Sequence, residues 1–366
     1  MRDLIKANAG LLFAGVATFV AMGIGQSIYG PALPAFTRAF GVTLAEAGLV
    51  LSAHWVGCFL GVAIMFAVGR GVTPRHALAL MTLGSAGIAT MAGWWMVLAS
   101  ALVFGAGYGM ATSVLNPRVL VAFGARGPSM LSFLNATFGI GAIAAPLVFV
   151  ALGSDPQLGF GITAAFCAAT WAGAGRTGTA AATATIGTRP FRPHLPILAF
   201  GAVAIGLEAC LGGLGPTALI AAGLSEASAA RHLSAFFVVF LIARLVLTFT
   251  AHRIPSFGLY TAAMLMALIC ALGAVLVSPA VFFVAAGAPA GLFFPGFYVT
   301  ASRKMGDDPR VPPTIIAAGL VGGIFSPLAI APAMAALGPL GFFWIMLGLT
   351  ALTSLLALLS LRSMAR

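Results

Sequence analysis

Residues 43–75 read TLAEAGLVLSAHWVGCFLGVAIMFAV followed by Gly69-Arg70-Gly71-Val72-Thr73-Pro74-Arg75. The first part, residues 43–68, holds a single formal charge, Glu46. About 20 mainly apolar residues in a helix cross roughly 30 Å of hydrocarbon. Where no water can satisfy stray backbone groups, such a stretch must be a helix and not an open strand. The second part is a short Gly- and Pro-containing gap that carries two arginines. This alternation of an apolar span with a short gap recurs along the whole chain and decides its class.

The same ruler places spans near 8–33, 43–68, 76–92, 94–117, 128–152, 158–175, 196–222, 228–251, 256–277, 280–302, 312–335 and 339–361. Twelve helices are expected, the third and sixth being the shortest. Composition agrees: 61% of the 366 residues are hydrophobic and 7% charged, with a mean hydropathy of +1.10, so a water-soluble surface cannot be assembled. The fold class that follows is an all-α membrane protein.

Basic residues fall in every second gap. Under this threading Arg2, Lys6, Arg70, Arg75, Arg118, Arg126, Arg176, Arg189, Arg192, Arg253, Arg303, Lys304, Arg310, Arg362 and Arg366 share one side, 15 of the 18. Arg38 and Arg231 lie on the other side, and Arg244 is inside a span. The positive-inside rule then places both termini in the cytoplasm of a bacterial-type inner membrane. The net charge of +11 is topological: it is dispersed, so nucleic acid is not an expected partner. The first apolar stretch starts with Arg2 and Lys6 but runs directly into further spans, so it reads as a retained helix rather than a cleaved signal. Cys58, Cys167, Cys210 and Cys270 all fall within spans without paired loop spacing, which argues against a disulfide framework.

The chain resembles itself at about half its length. Gly141-Ala142-Ile143-Ala144-Ala145-Pro146-Leu147 recurs as Gly322-Gly323-Ile324-Phe325-Ser326-Pro327-Leu328, Leu51-Ser52-Ala53 as Leu233-Ser234-Ala235, and Gly30-Pro31 as Gly215-Pro216, all in order. Such repeats are common in transporters. Two pseudo-symmetric bundles of six helices are predicted, residues 1–175 and 196–366, joined by a cytoplasmic linker at 176–195 that lacks an apolar run.

The sequence resembles the major facilitator superfamily, and within it the fucose-permease-like branch. The resemblance is carried by Gly30-Pro31-Ala32-Leu33-Pro34-Ala35-Phe36, by Gly105, Gly107 and Gly109 leading to Asn116-Pro117, and by Asn135 with Gly139-Ile140-Gly141 and Pro146. Gly206-Leu207-Glu208, Ala243-Arg244 and Gly291-Leu292-Phe293-Phe294-Pro295 belong to it as well. It implies that helices 1, 4, 7 and 10 line a central cavity. Two departures stand out. The loop at residues 69–75 lacks the acid of the superfamily's usual pattern, and Gly30 and Thr112 stand where sugar permeases of the branch carry carboxylates.

Ionised side chains at bilayer depth are expensive and ask for a reason. Glu208 lies 12 residues past Pro196, about 18 Å into its helix, and Arg244 lies 8 residues before His252, about 12 Å from its helix end. A carboxylate so placed can be switched by substrate or by an opening to water, and Arg244 is within side-chain reach. These two residues are the expected proton-coupling pair, the alternative being a static ion pair that locks two helices. Gln26, Tyr29, His54, Tyr108, Thr112, Asn116, Asn135, Phe294 and Tyr298 are the candidate substrate-binding residues. The competing reading of each polar one is an interhelical hydrogen bond worth about 1 kcal/mol or less. His54 and Cys58 are four apart and share a helix face, which would be half of a soft-metal site, without further ligands to complete it.

The glycines of the fourth span lack the strand and spacing of a nucleotide fingerprint, and no Ser/His/Asp or paired-carboxylate arrangement suits hydrolysis, so neither cofactor nor catalysis is expected. Trp94 and Trp95 sit where indoles anchor at an interface. The reading is a monomeric secondary carrier of a small organic solute, with protons and the lipid bilayer as its other partners. A copper-type metal importer or an exporter on the same scaffold, and a non-transporting assembly or sensor protein, are the rivals.

Overall fold

The computed structural model describes residues 2–68, 71–176, 191–250, 254–306, 308 and 310–365, and every regular element among them is helical. A short α1 (Arg2–Ala7) leads into α2 (Ala9–Phe40), followed by α3 (Leu44–Val68), α4 (Pro74–Ala89), α5 (Trp94–Phe123), α6 (Gly127–Ala151) and α7 (Pro156–Gly173). The second half holds α8 (Leu195–Ala221), α9 (Glu226–Thr250), α10 (Ser256–Leu276), α11 (Pro279–Ala285), α12 (Gly287–Met305), α13 (Val311–Ala336) and α14 (Gly341–Ala365). With α1–α2 forming the first span and α11–α12 the tenth, the protein is a multi-pass membrane protein of twelve transmembrane helices. Ten of these are long and apolar enough to be recognised as spans by length and composition alone. The two that are not, α4 with 16 residues and α7 with 18, are the third and sixth.

Local chemistry sets several boundaries. Thr73 and His76 form a reciprocal capping box ahead of α4, Asp155 accepts the Gln157 amide at 2.7 Å ahead of α7, and Pro74 and Pro156 fill first-turn positions that need no amide donor. The third and sixth helices therefore start two residues earlier than hydropathy suggested. In the other direction, α2 was expected to end near residue 33 but runs through Pro31 and Pro34 to Phe40, and α5 runs through Pro117 to Phe123. Proline is tolerated inside membrane helices because neighbouring groups re-satisfy the freed carbonyls. Gly41 ends α2 with φ of 64°, a left-handed turn that a side chain disfavours. The linker expected at 176–195 falls mostly on residues 177–190, outside the described ones, as do Arg70, Arg189, Arg253 and Arg366. All four cysteines are free thiols.

The helices divide into two compact units, residues 1–42 with 49–183 and residues 43–48 with 184–366. In the first unit α2 packs on α6 and α7, and α4 on α5 and α7; in the second α8 packs on α13 and α14, and α10 on α12 and α14. These are the same partnerships six spans later. The repeat is visible at single residues. A side chain at Gly105 or Gly109 of α5 would strike the His54 or Cys58 carbonyl of α3, and one at Gly287 or Gly291 of α12 would strike the Phe236 or Phe240 carbonyl of α9. All four positions in the second pair of helices lie 182 residues after their counterparts. Likewise Gly141 faces the Val20 carbonyl and Gly322 the Ala202 carbonyl. Lipid provides no hydrophobic drive between helices, so close backbone approach at small residues is what holds such pairs together.

Outside the spans, the Asp308 carboxylate accepts Arg310 Nε and Nη2, both at 2.8 Å, and the Arg310 amide at 2.9 Å, just ahead of α13. These hydrogen bonds hold the Asp308 carboxyl down at about 2. Because that value is depressed, whatever the pair contributes is fully present above the ordinary carboxylate value of 3.8 and is lost as pH falls through about 2. The stability difference between the natural protein and Asp308→Asn, read as a melting temperature in detergent, should be small near neutral pH, since the Arg310 side chain reaches solvent, and should vanish in strong acid.

Candidate functional site

The second unit holds Glu208 and Arg244. Glu208 is the central residue of α8, 13 positions from either end, which puts it about 20 Å from both. The residue as a whole is half-buried, but its Oε2 is shut off and has no hydrogen-bond partner. Arg244 lies on α9, six residues before its end. Its Nε donates to the Gly291 carbonyl of α12 at 3.2 Å, and its guanidinium lies over the Phe240 ring at 4.3 Å. Phe240 stands one turn before Arg244 on the same helix face, a spacing that could have been read in the sequence. The carbonyl contact could not, because Gly291 is 47 residues away. Arg244 stands on a helix that packs against α8.

In the first unit the polar groups are arranged differently. Tyr108 Oη of α5 donates to Gln26 Oε1 of α2 at 2.9 Å, and both residues are half-buried. This bond fixes the amide so that its oxygen is engaged and its NH2 donors point elsewhere. Tyr108 meets His54 edge-on at 5.2 Å between ring centres and Trp55 at 6.4 Å. Trp55, half-buried on α3, was not among the expected site residues, because a lone tryptophan in a span reads as packing. Replacing Tyr108 by Phe keeps the ring packing and removes the hydroxyl, so a loss of about 1 kcal/mol is expected. A melting-temperature shift of a few degrees, reproduced by Gln26→Leu, would measure it.

Tyr29 and His54 are each 1% exposed. Tyr29 packs against the rings of His54 at 5.4 Å, Phe104 at 6.4 Å and Phe160 at 5.3 Å. His54 Nε2 and Cys58 Sγ are 3.5 Å apart, one helical turn from each other. Tyr29 Oη and His54 Nδ1 have no hydrogen-bond partner. The structure therefore sets these two inside the first unit, among aromatic rings. Among the described residues no group of three or more His, Cys, Asp or Glu side chains could hold a metal ion.

The remaining candidates turn toward their own helices or stand at half-buried positions. Thr112 Oγ1 donates to the Gly109 carbonyl at 2.9 Å, and Asn135 Nδ2 to the Leu131 carbonyl at 2.8 Å. Asn116 is half-buried with Oδ1 enclosed and unbonded. Phe294 and Tyr298 of α12 are half-buried, with their rings 5.3 Å apart.

The profile of the Major Facilitator Superfamily matches residues 15–311. The chain belongs to this superfamily. It is a membrane transporter by family and not an enzyme. Among solved structures it is similar to the E. coli fucose:proton symporter, with 18% identity, a TM-score of 0.66, and 97% of this chain and 98% of that one covered. It is also similar to a D-xylose-proton symporter, with 14% identity, a TM-score of 0.76, and 95% and 96% covered. A nucleoside transporter matches with 13% identity, a TM-score of 0.72, and 98% of each chain covered. Identities this low establish the fold and leave substrate open. None of the curated proteins matches this chain.

Proposed function

We propose that this superfamily member is a proton-coupled symporter of a small organic solute, with Glu208 as the group that takes and releases the proton. The observation that carries this reading is the enclosed and unbonded Oε2 of Glu208 at the centre of α8, with Arg244 on the neighbouring α9. An ionised carboxyl in such a place is poorly stabilised unless water, a cation or a proton reaches it. A carboxyl sealed in a permanent bidentate pair would lack that responsiveness. Two structurally similar proteins are proton symporters, for fucose and for xylose, and they lend the reading support.

In this proposal residues 1–175 and 196–366, joined by 176–195, alternate to expose the site to either side, and both termini are cytoplasmic in a bacterial-type inner membrane. Gln26 and Tyr108 are the foremost solute-binding residues of the first half, because their mutual bond orients the amide. Tyr29, His54, Thr112, Asn116, Asn135, Phe294 and Tyr298 complete the proposed set, and the carrier works as a monomer. Uptake by proteoliposomes under an imposed pH gradient, compared with exchange at equal pH, tests the coupling. Accumulation that ignores the gradient would refute it.

A further inference from the structure

In the second unit α12 and α14 both end in basic turns, Arg303 with Lys304 on one and Arg362 on the other. On α14, Leu352, Leu355 and Leu359 are 57%, 54% and 74% exposed. Steps of three and four residues keep them on one stripe of the helix, and a further step of three reaches Arg362, which is exposed as well. From Leu352 to Arg362 the stripe rises about 15 Å, half of the roughly 30 Å of hydrocarbon and so the depth of one leaflet. On α12 the pattern is shorter: Val299 is 42% exposed, and Arg303, one turn later, is exposed too. Exposed apolar surface on a spanning helix is covered by acyl chains, so each stripe runs along lipid and finishes on an arginine near headgroup level.

The two helix ends are tied together. Both helices pack on α10, and Lys304 Nζ donates to the Ser363 carbonyl at 2.8 Å. Lys304 follows Arg303 and Ser363 follows Arg362, so three cations gather around one backbone contact. After that bond the ammonium keeps two further N–H donors. Among the described residues no carboxylate is paired with any of the three. Asp308 is engaged by Arg310, Glu208 lies in the middle of α8, and Glu226 opens α9. Asp307, outside the described residues, cannot neutralise more than one of the three.

The helix dipole favours a cation in a last turn, and the positive-inside rule favours one at a cytoplasmic face, but neither dictates the side of the helix it occupies. In the first unit, basic side chains near helix ends turn onto protein. Arg75 lies over the Trp171 ring at 5.2 Å and donates to the Ala172 carbonyl, and Arg118 donates to the Val72 carbonyl. Arg303 and Arg362 instead continue stripes that face lipid.

We propose that the ends of α12 and α14 form a binding site for an anionic phospholipid. Arg303, Lys304 and Arg362 hold its phosphate diester, and an acyl chain lies along Leu352, Leu355 and Leu359. Arginine presents paired N–H donors to phosphate oxygens, and the lysine adds a third charge. A headgroup with net negative charge gains from the whole cluster, whereas phosphatidylcholine brings its own cation beside the phosphate. The site is independent of proton coupling and of the transported solute.

The test places the whole chain in a neutral detergent with equal amounts of dioleoylphosphatidylglycerol and dioleoylphosphatidylcholine and counts bound lipid by native mass spectrometry. Phosphatidylglycerol should be the favoured first adduct. Arg303→Gln, Lys304→Gln and Arg362→Gln should each weaken that preference about fivefold. The triple variant should bind both lipids alike while melting at the natural temperature in phosphatidylcholine. Lys6→Gln, which removes a charge from the first unit, should leave the preference intact. Sodium phosphate should not displace the lipid; displacement would mean a free-anion site and overturn the proposal. It is equally overturned by the absence of a preference in the natural protein, or by a preference that survives the triple variant. Should the triple variant not fold, the single variants decide, and an unchanged preference in all three is the refuting result.

Discussion

Glu208→Gln is expected to abolish uphill transport while sparing exchange. The natural carrier, moving one proton per solute, should concentrate its solute about tenfold for each unit of pH difference, because one unit corresponds to about 1.4 kcal/mol. With an amide in place of the carboxyl that ratio should fall to about one. The amide is nearly isosteric and stays uncharged, so α8 has no reason to unfold. Exchange of labelled for unlabelled solute at equal pH should stay within about threefold of the natural rate, since it needs no change in protonation. Proteoliposomes measure both quantities on one preparation. If the variant retains both gradient-driven accumulation and exchange, Glu208 is not the carrier of the proton. Loss of both, with a lowered melting temperature, would mean that the residue is structural.

The second large effect is expected at a position with no polar chemistry. A side chain at Gly322 of α13 would run into the Ala202 carbonyl of α8, which is backbone and cannot swing aside. Leucine there should separate α8 from α13 and destabilise the second unit by about 3 kcal/mol or more. In practice the Gly322→Leu protein should fail to elute as a single folded species in detergent. Gly348→Leu on α14 is the control, since nothing lies within 4 Å of its added carbon, and it should behave like the natural protein. The reason for this sensitivity is solvent. Helices in lipid associate through close packing more than through hydrophobic burial, so one blocked approach removes much of what holds the pair.

Most of the architecture was legible in the residues. Apolar length sets the number of spans, because about 20 residues must cover the hydrocarbon whatever the neighbours are. The short third and sixth spans show where that argument thins. Their ends are set by Thr73 with Pro74 and by Asp155 with Pro156, capping signals that hydropathy does not weigh. The continuation of α2 through Pro31 and Pro34 was not legible, because the usual rule that proline stops a helix belongs to water. Of the site, Glu208 and Arg244 were legible as charges that hydrocarbon would exclude unless retained for use. The hold on Arg244 was legible by half: Phe240 is one turn away, whereas Gly291 lies in another helix. The pairing of Gln26 with Tyr108, 82 residues apart, was not legible at all.

The sequence by itself determined that this protein lives in a bilayer as twelve helices in two related halves, because hydropathy and repetition are written along the chain. Tertiary structure alone decided which polar atoms are satisfied: Gln26 receives the Tyr108 hydroxyl, while Glu208, in the other half, has Oε2 enclosed and unbonded. Hydrogen bonding depends on distances of about 3 Å between side chains on different helices. Those distances are set by how glycine-lined helices approach each other and not by either residue's place in the chain.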